Sequence, residues 1–453
     1  MTGRTVAAIA TPQGAGALGV IRISGDRAIE IADKVFFPFS GKKLTDHKGY
    51  TASYGQVKDN DKILDDGVAL VFKAPHSYTG EDTVEISLHG GAIILRDTLR
   101  LILSKGAFPA EAGEFTKRAF LNGKTDLTRA ESIMGLISAE SDAQLRLSRA
   151  AHLGKTAEKI EKIIEDLTKT GASISVFSDY PDEEIEGLDR ESFTEMLGNA
   201  KVSLEEMLAT YDAGKILREG VETVIVGKPN VGKSSLMNML SGADRSIVTD
   251  IAGTTRDVIE ETVRVGDIVL RLADTAGIRE TEDKIESIGV FLAKKRIETA
   301  QLVLAVFDCT DVLSGDDLAL IKGLNPNNTL IVINKTDLES RLERDAFNGF
   351  ESVEISAKEN KGLEEISEKI GKICGTANLS PDSAVLINER QRACAENALT
   401  SVKEAYEAIS MGLTLDAVGI CLDDALSYLF ELTGRRVTNE VADEIFRSFC
   451  VGK

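Results

Sequence analysis

The chain has no long apolar run. Crossing a bilayer takes roughly 20 consecutive apolar residues, and no stretch approaches that, which argues against a helical membrane span. Cysteines are few and scattered: five in 453 residues, with no Cys-x-x-Cys pair and no histidine beside them. That pattern excludes an obvious zinc cluster and a disulfide framework. Cys309, Cys374, Cys394 and Cys421 are expected to be small buried hydrophobes. There is no internal repeat and no low-complexity segment. The apolar stretch in MTGRTVAAIATPQG is too short for a signal peptide and reads as a strand closed by a turn, so a cytosolic protein is expected. Positive charge is also scarce, with 53 Lys and Arg against 73 Asp and Glu and a net charge of −20. So acidic a surface repels polyanions at long range. Contact with nucleic acid would need local basic spots, for which Lys117/Arg118, Arg390/Arg392 and Arg435/Arg436 are candidates; the alternative for each is an ordinary salt bridge.

The composition that remains is that of a soluble globular protein, 43% hydrophobic and 28% charged. Its length exceeds what one core usually serves, so two or three domains are expected. Residues 1–118 alternate β-like runs (Val6–Ala10, Gly19–Ile23, Val68–Phe72, Thr83–Ser87) with turns, predicting a small α+β domain. Residues 119–215 turn helical, with Ile160, Ile163, Ile164 and Leu167 on one face. Residues 216–376 alternate apolar strands with helices, as in a doubly wound parallel sheet. Residues 377–453 are helical again, with a stripe at Ala395, Ala398, Leu399, Val402, Ala405, Tyr406 and Ile409. A tail this short is marginal alone. It is expected to pack with the earlier helices, so that the nucleotide domain is inserted between two halves of one helical domain.

TVIVGKPNVGKSSLMNML (223–240) reads as strand, glycine loop, helix. In the Walker A loop GKPNVGKS, Gly227 and Gly232 let successive N–H groups point at phosphate oxygens. Lys233 reaches the β/γ-phosphates and Ser234 offers a hydroxyl to magnesium. GTTRD (253–257) follows, where Thr255 can complete the magnesium shell. In IVLRLADTAG (268–277), Asp274 can hold magnesium through water and Gly277 can meet the γ-phosphate. NKTD (334–337) sits after the apolar strand Thr329–Ile333. Its Asp337 can accept hydrogen bonds from guanine N1–H and N2–H, with Asn334 and the Lys335 stem bracing the ring. SAK (Ser356, Ala357, Lys358) offers backbone N–H groups to guanine O6. Adenine would leave a buried carboxylate unpaired, so discrimination should be large. Two other motifs fail their context. Gly14, Gly16 and Gly19 have a G-x-G-x-x-G spacing but are followed by a strand, and HGG at 89–91 has no Gly-x-Ser-x-Gly elbow to serve.

Ile278 stands where a water-orienting glutamine would follow the DTAG glycine. Together with Asn230, TDIAGTTRD (249–257) and DTAGIRE (274–280), this chain resembles the MnmE (TrmE) family of tRNA-modification GTPases over its whole length. The resemblance implies a nucleotide site of Asn230, Val231, Gly232, Lys233, Ser234 and Ser235 in the loop. To these it adds Thr249, Asp250, Ile251, Ala252, Gly253, Thr254 and Thr255, then Asp274, Thr275, Ala276 and Gly277, together with the NKTD and SAK residues. It implies a potassium ion held by Asn230, the Thr249 and Ile251 carbonyls and the Thr254 hydroxyl. Glu286 would position water and magnesium would sit on Ser234 and Thr255, two nucleotide domains meeting during hydrolysis. Glu286 read by itself is equally a glutamate on a helix surface.

The motifs IRISG (21–25), EDTVEISLHGG (81–91) and AGEFTKRAFLNGKTDLTRAE (112–131) match the family's N-terminal folate-binding and dimerisation domain. By position, 5-formyltetrahydrofolate or a related tetrahydrofolate would meet Arg22, Glu85, Lys124 and Lys453. The ending RSFCVGK matches the family's Cys-x-Gly-Lys signature, implying a reactive Cys450 in a flexible tail; a structural cysteine is the alternative. The expected fold is thus an α/β P-loop GTPase domain inserted into an α-helical domain, preceded by an α+β folate-binding domain. The expected protein is a cytoplasmic homodimer, acting on tRNA with the FAD protein MnmG in a heterotetramer. The alternatives are a ribosome-assembly switch or a folate-dependent transferase with a regulatory GTPase attached. The tail lacks the Gly-x-x-Gly loop of a KH domain that the first would often carry.

Overall fold

In the computed structural model, which describes residues 3–12, 14–179, 189–243, 261–272, 297, 299–376 and 384–452, the alternating N-terminal segments become strands. The chain divides into two units, Met1–Met134 with Ser427–Lys453, and Gly135–Leu426.

The first unit carries a seven-stranded sheet built from β1 (Val6–Ile9), β2 (Leu18–Ser24), β3 (Phe36–Pro38), β4 (Thr51–Asp59), β5 (Lys62–Phe72), β6 (Thr83–His89) and β7 (Phe108–Pro109), in the order β3-β4-β5-β6-β2-β1-β7. The helices are α1 (Ala28–Asp33), α2 (Ala92–Ser104), α3 (Glu114–Leu121) and α4 (Leu127–Ile137). One sheet face is dry: Ile21, Ile23, Val57, Ala69, Val71, Val84, Ile86 and Leu88 pack with Ile31, Leu95 and Ile102 of α1 and α2. This period-two burial is what a sheet covered by helices on one side requires. β2 continues where a dinucleotide fold would need a helix, which disposes of the glycine triplet. Residues 427–453 return to this unit. Phe446 and Phe449 join Leu127 and Ala130 in a small cluster.

The second unit begins with α5 (Asp142–His152), α6 (Lys155–Asp179), α7 (Arg190–Ala209) and α8 (Tyr211–Glu219). The inserted α/β part follows as β8 (Val221–Val226), α9 (Lys233–Ala243), β9 (Glu261–Val265), β10 (Ile268–Leu272), β11 (Leu302–Asp308), α10 (Gly315–Lys322), β12 (Thr329–Asn334), β13 (Glu351–Glu354) and α11 (Leu363–Ile373). α12 (Glu389–Ser410), α13 (Leu415–Thr433) and α14 (Asn439–Arg447) complete the chain. The sheet order is β13-β12-β11-β8-β10-β9. β11 and β12 are buried at every position, as central parallel strands covered on both faces must be. The sheet is not wholly parallel as expected: β9 pairs antiparallel with β10 as an edge hairpin, a short reversal made possible by the turn at Gly266 (φ 61°).

The α/β part lies between the two helical stretches, as expected. α12 packs on α7, which also packs on α6. Its stripe is buried except at Tyr406, which is half-exposed. Side chains also tie the helices to the entry and exit of the insertion. Thr156 donates to the Val385 carbonyl (3.1 Å) and Arg218 to the Leu386 carbonyl (3.0 Å). Arg264 of β9 reaches Asp142 of α5 (3.0 Å). The cysteine expectation needs correcting: Cys309 and Cys394 are buried, but Cys374 and Cys421 are only partly so. No helix among the described residues is long and apolar enough to cross a membrane.

Candidate functional site

β8 delivers the chain into the Walker loop, and the loop's shape depends on two glycines. Gly227 has φ 142°, and a Cβ there would lie 2.3 Å from the Val306 carbonyl oxygen. Gly232 has φ 97°, and a Cβ there would lie 2.2 Å from Asn334 Nδ2. Only glycine satisfies both demands. Asn230 occupies the left-handed region at φ 67°, which asparagine tolerates. Its side chain is exposed, whereas Val231 is buried beneath the loop. Ser234 and Ser235 are exposed on the first turn of α9, where unpaired N–H groups and the helix dipole favour phosphate. Lys233 Nζ donates to the carbonyls of Gly227 (2.7 Å) and Lys228 (2.6 Å), and burial pushes its pKa below the usual lysine value.

Asn334 ties the loop to a second segment. It is buried, donates through Nδ2 to the Val231 carbonyl (3.0 Å) and accepts the Ala357 N–H at Oδ1 (3.1 Å). One side chain therefore joins the phosphate loop to the SAK segment. Asp337 is exposed and accepts from the Ser356 hydroxyl (2.7 Å), a bond that holds its pKa below the usual carboxylate value with help from Lys358 and Lys361. An ionised carboxylate only accepts hydrogen bonds, so it matches the two adjacent donors of a guanine edge. Lys335, at φ 66°, places Nζ 2.5 Å from Asp308 Oδ2. Burial pushes Asp308 upward, but Lys335 and the Thr310 N–H and hydroxyl outweigh it and hold its pKa low. Asp308 lies in no motif, and its one sequence signal is a polar residue closing an otherwise apolar strand.

The expected site residues Thr249, Asp250, Ile251, Ala252, Gly253, Thr254, Thr255, Asp274, Thr275, Ala276, Gly277, Glu286 and Lys453 lie outside the described residues.

In the first unit, Arg22 and Glu85 are register partners across β2 and β6 and form a salt bridge at 2.8 Å. The Arg22 guanidinium lies over the rings of Tyr78 (5.3 Å) and Phe115 (5.4 Å), and Nη1 donates to the Gly452 carbonyl (3.3 Å). The C-terminal tail is docked, which corrects the expectation of a flexible end. The Gly113 N–H donates to the Cys450 carbonyl (3.3 Å), Val451 bridges to Ala112, and Gly452 (φ 96°) sits against Ile9. The Cys450 side chain remains exposed. Lys124 is bonded to the Pro75 carbonyl (2.8 Å), in the loop that bears Tyr78.

Most of the candidate RNA-facing cations are committed elsewhere. Lys117 pairs with Asp443, and Arg118 is buried between Glu81 (2.8 Å) and Glu114 (2.7 Å). Arg392 pairs with Glu396 (2.8 Å) over the Tyr211 ring. Arg435 and Arg436 both stack on Phe430. His89 of the HGG run is bonded to Asp65 (2.8 Å).

A glycine-shaped phosphate loop, a lysine folded into it and an acidic base-recognition residue beside SAK define a guanine-nucleotide-binding P-loop protein. Residues 5–124 match the family model described as the GTP-binding protein TrmE N-terminus, and residues 127–450 match that of the MnmE helical domain. The tRNA modification GTPase MnmE of Clostridioides difficile (strain 630) is 40% identical over 454 residues, covering 99% of each chain. The MnmE of Lactococcus lactis subsp. lactis (strain IL1403) is 40% identical over 451 residues, 99% of this chain and 98% of its own. Among solved structures, the G domain of the T. maritima FeoB iron transporter is matched over 34% of this chain and 98% of its own at 24% identity and TM-score 0.26. The chain belongs to the MnmE family of tRNA modification GTPases. It is a GTP hydrolase.

Proposed function

We propose that this chain is a potassium-activated, cytoplasmic GTPase of tRNA wobble-uridine modification. It adds an aminomethyl or carboxymethylaminomethyl group at uridine C5, together with an FAD-dependent MnmG partner. The observation that carries this reading is the docked tail. A cysteine with an exposed side chain is fixed beside an arginine–glutamate–aromatic cluster, on a unit that holds none of the nucleotide-loop residues. A GTPase acting only as a binding switch has no need of such a cluster. In this reading residues 1–118 bind folate and dimerise, 119–215 and 377–453 form the helical domain, and 216–376 hydrolyse GTP.

Arg22 between two rings, with Glu85 alongside, suits the flat, hydrogen-bonding ring and anionic tail of a tetrahydrofolate such as 5-formyltetrahydrofolate. Arg22, Glu85, Lys124 and Lys453 would hold it, and a tetrahydrofolate there would supply the one-carbon unit for C5, with any change in its oxidation level falling to the FAD of the MnmG partner. Homodimerisation is favoured by an exposed apolar strip of Phe37, Phe39, Tyr54 and Val68 on the outer face of β3–β5 and the residue that follows β3.

In the nucleotide site Lys233 neutralises charge at the β/γ-phosphates, Asp337 selects guanine and Glu286 orients water. Ser234, an exposed hydroxyl on the first turn of α9, fits a magnesium ligand, with Thr255 as its counterpart. Asn230, exposed on a left-handed turn of the loop, fits an amide-oxygen ligand for a monovalent cation. Potassium held there with Thr249, Ile251 and Thr254 would supply positive charge where negative charge develops in hydrolysis. GTP turnover is therefore expected to be at least about tenfold faster in potassium than in sodium, one oxyanion-type contact accounting for a few kcal/mol. Asn230→Ala should abolish the difference; equal rates in both salts for the unaltered protein would rule out the cation.

The function itself is tested by nucleoside analysis of tRNA from cells lacking the chain, complemented with either the native form or Cys450→Ser. Loss of the C5 group is expected in the deletion and with Cys450→Ser, whose purified form hydrolyses GTP normally. Intact wobble uridines with altered ribosomal subunit profiles would point to a ribosome-assembly switch instead. Full modification by Cys450→Ser would assign that residue to packing.

A further inference from the structure

Lys228, the second residue of the phosphate loop, lies outside the expected contact set. Its backbone carbonyl is one of the two oxygens that receive the Lys233 ammonium (2.6 Å). Its side chain runs to the start of α10, where Nζ meets Asp317 Oδ2 (2.6 Å) and the Ser314 hydroxyl. That helix start is capped. Ser314 and Asp317 form a capping box, and Asp317 Oδ2 also accepts the Ser314 N–H (2.8 Å) and hydroxyl (2.9 Å). Asp317 is buried, and Lys228 is about one third exposed. A buried carboxylate with one cation is costly to leave unpaired, so the pair resists opening. Burial pushes the Asp317 pKa up, but Lys228 and the Ser314 donors outweigh it and keep the carboxylate ionised.

We infer that Asp317 is a positioning residue for the nucleotide site: through Lys228 it anchors the phosphate loop to α10 and thereby sets the place of Lys233. Placement of a reacting or binding group to within a fraction of an ångström is what such outer contacts supply. Asp317 need not touch nucleotide, and its effect belongs to ground-state binding by a correctly shaped loop.

The test is a double-mutant cycle on the full chain with Asp317→Asn, Lys228→Met and both together. Asp317→Asn keeps a side-chain oxygen able to accept the Ser314 N–H across the capping box, and removes the charge that holds Lys228. KM for GTP and the dissociation rate of a fluorescent GDP analogue are each expected to rise three- to tenfold with Asp317→Asn, while kcat moves less than twofold. The double variant should be no worse than the poorer single variant, because both break one linkage. Lys228→Arg should restore most of the affinity. Multiplying effects in the double variant, or unchanged KM and GDP release in Asp317→Asn, would overturn the inference. A fall in kcat at unchanged KM would also do so, since that is what a loss of folded enzyme produces.

Discussion

Asp337→Asn is expected to exchange guanine for xanthine as the preferred base. The native carboxylate, held by the Ser356 hydroxyl at 2.7 Å, presents only acceptors. The amide can still accept from Ser356 but turns an NH2 toward the edge where guanine also has a donor. Two hydrogen bonds to a charged acceptor are lost or reversed, each contributing about 1.5–3 kcal/mol, so guanine nucleotides should weaken by roughly a hundredfold or more. Xanthine carries a carbonyl at that position and should bind better than guanine. Competition of GDP, XDP and ADP against a fluorescent nucleotide measures this directly. Retained guanine preference in the variant would mean that Asp337 does not read the base.

Gly452→Ala should separate the chain's two activities. Gly452 has φ 96°, and an added Cβ would sit 2.5 Å from the Ile9 carbonyl oxygen and 2.8 Å from the Ala10 Cα. Both neighbours are backbone and cannot turn aside. A strained left-handed residue costs on the order of 1–3 kcal/mol before the collision is counted. Among the described residues the tail is held by Gly113 to Cys450, Arg22 to Gly452 and the Val451–Ala112 bridge, each hydrogen bond worth about 1 kcal/mol. It should therefore leave its seat rather than distort the sheet. tRNA modification is expected to fall more than about tenfold with a misplaced group, while GTP turnover in the same preparation stays within twofold. A variant that modifies tRNA at the native rate would show that docking of residues 450–452 is irrelevant to the chemistry.

What could be read from the sequence was chemistry carried by neighbouring residues. The glycines at 227 and 232, Lys233, Ser234 and the NKTD and SAK runs are contiguous or placed at strand ends, and apolar periodicity located those strands. The buried stripe of α12 and the apolar strand that became β12 were legible for the same reason, since period and hydrophobicity report burial directly. The order of helix, inserted sheet and helix also followed from texture, because a short apolar-striped tail must find a partner.

Tertiary structure alone decided which side chains meet across long separations. Asn334 reaches Val231 over 103 positions, Lys228 reaches Asp317 over 89, and Arg22 meets Gly452 over 430. No local pattern encodes such pairs. A lysine in a loop and an aspartate at a helix start look like ordinary surface charges until folding buries one beside the other. The same holds in reverse for Arg118 and Arg392, which the sequence offers as possible RNA contacts and the fold spends on carboxylates. The sequence alone determined that this protein binds guanine nucleotide, because the phosphate cradle and the NKTD and SAK base-recognition runs are each local stretches of chain. Where its cysteine tail rests, and what holds Lys233 in place, depended on packing between segments far apart in the chain.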